Sequence, residues 1–117
     1  PYVEYPGVDR DDLWVAQEQG RVVGLVALKR HPDCLELCAL GVEPSKRGLG
    51  AAKALVEALM AEARGPVHLA TVIPGFFEAC GFERTAEPPR SLVERRRTSW
   101  CDGCDPGLCA VMLRREP

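Results

Sequence analysis

Apolar positions along the chain fall in short blocks with two different periods. Leu13-Trp14-Val15-Ala16-Gln17 and the run from Arg21 to Leu28 are compact, β-branched stretches joined by Gln19-Gly20, which predicts a hairpin. The second run is almost continuously apolar toward its end, as expected of a strand buried on both faces. His31-Pro32-Asp33 reads as a turn, and Cys34 to Val42 as a third strand with Glu36 as its only charge. The period then changes. From Gly48 to Arg64, Ala52, Leu55, Val56, Leu59 and Ala63 recur at helical spacing and make one face. Gly65-Pro66 stops that helix. Val67 to Thr71 is a fourth strand, and Pro74 opens a short helix from Gly75 to Cys80 that Gly81 ends. Before all this, Pro1 to Asp12 is an irregular lead-in. After it, Glu83 to Arg97 is polar, Cys101 to Cys109 is a knot of Cys, Asp, Gly and Pro, and Leu108 to Leu113 closes as a last strand.

Composition narrows the function classes. At 117 residues the chain predicts one domain, 1–117. A net charge of -2 gives no basic excess for neutralising phosphates, so no nucleic-acid partner is expected. No apolar run reaches membrane-spanning length, so no membrane partner is expected either. No signal-peptide pattern is present, which sets a cytoplasmic expectation.

The chemistry gathers where the third strand meets the long helix. Pro44 ends the strand because it lacks a ladder donor, Ser45 and Lys46 turn the chain, and Gly48 and Gly50 with small alanines open the helix. Helix N-termini present unpaired N–H groups and partial positive charge, and residues without bulk let an anion approach them. A Walker A loop needs four residues between its glycines, and a dinucleotide fingerprint needs Gly or Ala where Lys53 stands. What fits is Val42-x-Pro44 followed by Arg47-x-x-Gly50-x-Ala52, which resembles the pyrophosphate loop of the GCN5-related N-acetyltransferase (GNAT) family.

That resemblance covers about 13–82 and leaves 83–117 as an Arg- and Cys-rich tail. It implies an α/β (α+β) fold: a mixed, mostly antiparallel sheet flanked by helices, split beside the third strand. It implies acetyl-CoA or coenzyme A as cofactor, with the pyrophosphate on the backbone of Arg47, Gly48, Leu49, Gly50, Ala51 and Ala52. The end of the third strand, Leu40, Gly41 and Val42, would pair with the pantetheine arm and lend a backbone N–H to the thioester oxygen, an oxyanion-hole role. Gly41 inside a strand suits a bulge or a close ligand approach. The N-terminal part is short for the family, whose first helices form one wall of the acceptor pocket. Either that wall is lost or a partner subunit, as in a homodimer, supplies it.

Phe76-Phe77-Glu78-Ala79-Cys80-Gly81-Phe82 resembles the family's Phe-Tyr-x-x-x-Gly-Phe motif, with Phe77 in the slot of the usual tyrosine acid. Phe77 faces the cofactor there without an acidic proton. Glu36 is the candidate general base, because acyl transfer to an amine needs a carboxylate to take the ammonium proton. His68 on the fourth strand is the alternative base, and His31 reads as a turn residue. Cys101-x-x-Cys104 has zinc-like spacing, but four ligands are needed and the region holds three cysteines with Cys109. No metal is expected; a disulfide or reduced structural thiols are the other readings.

Within the family the chain resembles short bacterial N-acetylglutamate synthase-type enzymes, through Val23-Gly24-x-x-Ala27-Leu28, Glu36, Thr71 and the Trp100 tail. This implies a small amine acceptor, an amino acid such as glutamate. An arginine that some of these enzymes carry after the threonine is here Val72; Lys29, Arg30, Arg90 or the Arg95 to Arg97 run would supply positive charge instead. A protein or polyamine acetyltransferase, or a non-catalytic module that binds coenzyme A, are the alternatives.

Overall fold

The computed structural model describes residues 12–48, 50–95 and 109–116. Six strands and three helices alternate: β1 (Leu13–Glu18), β2 (Arg21–Arg30), β3 (Leu35–Val42), a 3-10 turn at Pro44–Lys46, α1 (Ala51–Ala63), β4 (Val67–Thr71), α2 (Pro74–Ala79), β5 (Glu83–Arg84), α3 (Arg90–Arg95) and β6 (Ala110–Arg114). The sheet order is β1-β2-β3-β4-β6-β5. All neighbours pair antiparallel except β3 and β4. The expected mixed, mostly antiparallel sheet is therefore present.

α1 packs its apolar stripe, Leu55, Val56, Leu59 and Met60, onto one sheet face carrying Val26, Leu28, Leu37, Val67, Leu69 and Met112. Phe77 and Phe82 close that core edge-on, with ring centroids 5.8 Å apart. Arg114 ties three elements together: its guanidinium donates to both carboxylate oxygens of Glu57 on α1, at 2.7 and 3.1 Å, and to the Cys80 carbonyl at 2.8 Å. The donated hydrogen bonds hold the Glu57 carboxyl below its usual range.

β2 approaches α1 only because position 24 has no side chain. A Cβ on Gly24 would lie 3.1 Å from Leu55 Cδ1, 3.2 Å from the Gly41 carbonyl oxygen and 3.3 Å from Val42 Cγ2. Gly24→Val should therefore overpack this contact and destabilise the fold by about 1–3 kcal/mol. Chemical denaturation checks this; an unchanged midpoint would mean that the helix shifts at no cost.

Three expectations need correction. The polar segment after Gly81 contains β5 and α3, which local pattern did not reveal. Gly41 pairs regularly with Leu25, and the register slip in β3 falls instead at Cys38, between the pairs Ala27–Ala39 and Leu28–Leu37. The last strand is β6, Ala110–Arg114, with Cys109 before it outside the strand; Leu108 lies outside the described residues. Leu49, Arg96, Arg97, Trp100, Cys101 and Cys104 lie outside the described residues, as do the zinc and disulfide readings that rest on Cys101 and Cys104.

Candidate active site

The sheet opens beside β3. Only Leu35–Val67 and Glu36–His68 pair β3 with β4, in parallel, while β3 runs on to Val42 and β4 to Thr71. From Leu37 onward no strand among the described residues lies on the β4-facing edge of β3. Its backbone donors and acceptors face a wedge lined by Leu37, Cys38, Ala39, Leu40, Leu69, Ala70, Thr71, Ile73 and Phe77. The Thr71 hydroxyl accepts from the Ile73 N–H at 3.0 Å and bends the chain out of β4 into α2.

A larger cavity of about 570 Å³ lies beside the wedge. Leu40 and Ile73 line both, so the two are neighbours. The rest of the cavity wall is Gly41, Val42, Lys46, Arg47, Gly48, Gly50, Ala52, Lys53 and Phe76. Of the residues expected around a cofactor, Leu40, Gly41, Val42, Arg47, Gly48, Gly50 and Ala52 meet here. Ala51 opens α1 beside them, and Phe77 lines the wedge instead.

This loop is built for an anion. Gly48 and Gly50 have φ of +83° and +86°, a region that L side chains rarely adopt, and a Cβ at either would meet open space. No side chain caps α1, and no acid sits in its first turn. Its first N–H groups therefore point outward with the positive end of the helix dipole. Arg47 and Lys53 add formal charge around the same cavity, and Lys46 stands there paired with Glu18 at 2.9 Å. The loop is anchored: Glu43 N–H donates to the Val23 carbonyl at 2.7 Å, Arg21 pairs with Glu43 at 2.8 Å, and Arg47 Nε donates to the Val42 carbonyl at 3.2 Å. These features fit a coenzyme A pyrophosphate at the loop and its pantetheine arm along the open edge of β3.

Sequence reasoning missed Ile73, Lys46 and Lys53 as cavity residues, while Phe76 reads from sequence as core and cofactor-facing packing. Ile73 is 59 % exposed and lines both the wedge and the larger cavity. Phe76 stacks edge-on against Phe77 at 5.0 Å and so reaches the cavity from a fixed support.

Glu36 lies on the sheet face opposite α1, beside the point where the strands part. Its side chain is fully buried in an interior strand, and His31 Nε2 sits 2.7 Å from its Oε1. His68 is its register partner on β4. Burial is the main cause that lowers the His68 pKa, with Arg115 second, so the ring is neutral at pH 7; its Nδ1 is buried and makes no hydrogen bond among the described residues. A second cleft of about 530 Å³ opens on this side, with His31, Asp33, His68, Glu87 and Arg115 in its wall. Cys34 also lines it, and burial, with the charges of Asp33 and Glu36, pushes its thiol up to about 12. Cys34 therefore stays a neutral thiol rather than a nucleophile. Cys109 stands half-buried just before β6.

Among the cations expected to receive a carboxylate, Arg30 is paired with Asp12 at 3.0 Å and Arg90 with Glu94 at 3.0 Å. Lys29 stands opposite Glu36 in the β2–β3 register. Arg115, in the cleft wall, was not anticipated.

The acetyltransferase (GNAT) domain pattern matches residues 9–84. Among solved structures, N-acetylglutamate synthase from Neisseria gonorrhoeae, complexed with coenzyme A and N-acetyl-glutamate, is similar with a TM-score of 0.77 at 21 % identity. The match covers 91 % of this chain and 26 % of that one, so this chain spans about a quarter of that protein's length. A Mycobacterium tuberculosis protein in complex with coenzyme A is similar with a TM-score of 0.69 at 24 % identity, over 91 % of this chain and 76 % of that one. Ard1 from Thermoplasma volcanium gives a TM-score of 0.70 at 20 % identity, over 92 % and 72 %. At these identities the likeness is one of fold. No helix among the described residues is long and apolar enough to cross a membrane.

Proposed function

The chain belongs to the acetyltransferase (GNAT) domain family, and we propose from there that it moves an acetyl group from acetyl-CoA to the amino group of an amino acid such as glutamate. On this reading residues 1–117 form one acetyltransferase domain that works in the cytoplasm, in arginine biosynthesis. The observation that carries the transfer chemistry is the pair of neighbouring cavities, one at the α1 N-terminus and one in the split between β3 and β4, that share Leu40 and Ile73. Such a pair suits a ligand with an anionic middle and a long, mostly uncharged arm ending in the wedge. The choice of acceptor rests on the sequence resemblance and on the similarity to an N-acetylglutamate synthase.

Acetyl-CoA supplies an activated acyl thioester when bound. Residues of this chain do the rest. The loop from Arg47 to Ala52 holds the pyrophosphate through backbone N–H groups, helped by Lys53. The open β3 edge at Leu40 to Val42 would hold the arm, and a backbone N–H there would be the oxyanion donor for the thioester. Glu36 accepts the ammonium proton and leaves a neutral amine. Phe77 cannot protonate the departing thiolate, so water does. A thiol of ordinary acidity, near pH 8.5, takes that proton readily at neutral pH.

The test is thiol release from acetyl-CoA against a panel of amino acids, polyamines and peptide amines. Turnover fastest with glutamate is the expected result. Preference for a polyamine or a peptide would move the assignment to those acceptors, and no turnover with any amine would overturn the enzyme reading.

A further inference from the structure

Glu36 has a structural problem as a base: it must give back each proton it takes, yet its side chain is 0 % exposed. Its surroundings contain an outlet. Leu37 and Cys38, on one side of Glu36 in the chain, line the wedge where the thioester arm would end. Cys34 and Leu35, on the other side, line the second cleft, and so does His31. His31 Nε2 is 2.7 Å from Glu36 Oε1, and the His31 side chain is 11 % exposed. Glu36 itself lines neither cavity; its chain neighbours face the wedge on one side and the cleft on the other, and the His31 ring, which lines the cleft, pairs with its carboxylate.

We propose that Glu36 and His31 form a proton relay, in which His31 carries the proton from the buried carboxyl out to the second cleft. This rests on the reading of Glu36 as the general base. The N–H bond of the ammonium breaks and the proton goes to the Glu36 carboxylate. It crosses the hydrogen bond to His31 Nε2, giving an imidazolium. The ring accepts in its Nδ1–H form, so the Nδ1 proton then leaves to water in the cleft, which leaves a carboxylate and a neutral ring protonated at Nε2; a reorientation of the ring returns an unprotonated nitrogen to Glu36 before the next turnover. No oxidant or second cofactor is involved.

The turn that carries His31 is fixed well enough for such a role. His31 N–H donates to the Cys34 carbonyl at 2.9 Å. Asp33, in the same turn, accepts from the Ser91 hydroxyl and from the Ser91 N–H at 3.1 Å. Those bonds hold the Asp33 carboxyl below its usual range, hydroxyl first, so it stays an anion in the turn that carries His31. The other charged or titratable groups around the ring are Glu36 on β3, Lys29 opposite it on β2, His68 on β4, Glu87 before α3, and Cys34 and Arg115 in the cleft wall. His68 is the only one besides His31 with an imidazole, and its buried Nδ1 does not offer the same outlet.

The experiment compares His31→Gln, His31→Ala and Glu36→Gln, with acetyl-CoA and whichever amine of the panel turns over fastest. Glutamine at 31 can still donate to Glu36 but cannot pass a proton on. Expected for His31→Gln is a kcat lower by about tenfold or more, on the low side of what a positioned proton-transfer group contributes, with coenzyme A affinity by calorimetry unchanged. The kcat of this variant should rise with buffer concentration, unlike wild type. Added imidazole should restore His31→Ala in a saturable way. His31→Gln at wild-type rate and pH profile overturns the relay, and so does a slow variant that neither buffer nor imidazole restores. Should His31→Ala lose coenzyme A binding through misfolding, buffer dependence of His31→Gln decides alone. A dead Glu36→Gln beside a fully active His31→Gln removes the relay and leaves the base. Glu36→Gln at wild-type rate removes both.

Discussion

Coenzyme A should bind Gly50→Val at least about tenfold more weakly than wild type, a loss of about 1.4 kcal/mol or more. Two physical effects act in the same direction. Gly50 has φ of +86°, so a β-branched residue there is strained and the loop is pushed toward another conformation. If the loop keeps its shape, the branched side chain projects into open space in the wall of the pyrophosphate cavity. Either way the outward N–H groups of α1 lose close contact with the anion, and their value falls off within the first turn. Calorimetry with coenzyme A measures the change, and circular dichroism confirms the fold. A folded Gly50→Val protein with wild-type affinity would mean that the loop is only a helix cap and that the cations alone hold the ligand.

The same loop shows what the residues declared by themselves. Val42, Pro44, Arg47, Gly50 and Ala52 are informative because each slot has a backbone reason, and the cavity collects four of them in its wall, with Pro44 in the turn that shapes it. β2, β3, β4 and α1 were legible for a similar reason: their apolar residues repeat with the period of the element over four or more positions. α3 was not. Arg90–Arg95 is six residues with one apolar pair, too short for a period to appear. What holds it is tertiary: Ser91 bonds Asp33 across 58 positions of chain, and Leu92 is fully buried. β5 is two residues long and exists because β6 offers it a ladder.

Side-chain partnerships across turns were the least legible. His31 reads as a turn residue before Pro32, and nothing in strand periodicity shows that the turn folds its ring back onto Glu36, five positions on. Phe76 and Ile73 are apolar, so pattern assigns them to a core; only the parting of β3 from β4 turns them toward a cavity. That parting is a matter of which backbone groups pair, and no side-chain pattern records it.

Glu36→Gln should lower kcat by about a hundredfold or more, the usual range for a positioned base, while coenzyme A affinity stays nearly unchanged. Glutamine matches glutamate in shape, so it fills the same buried site beneath His31 without opening a cavity. It also accepts a hydrogen bond from the ring, so the turn keeps its place. What it cannot do is take a proton from the ammonium nitrogen. Phe77 supplies no acid, so wild-type kcat/KM should rise with pH along a single limb as base and amine lose their protons, with no falling limb from a protonated side chain. In Glu36→Gln the limb should follow the amine alone, and the rate should approach wild type only where the free amine is abundant. The loop and wedge residues are untouched, which separates a lost proton acceptor from a lost cofactor site. The measurement is the pH–rate profile of both proteins with the fastest acceptor, beside calorimetry with coenzyme A. A Glu36→Gln enzyme with the wild-type rate and limb would transfer the base step to deprotonation of the amine in water, before it reaches the wedge.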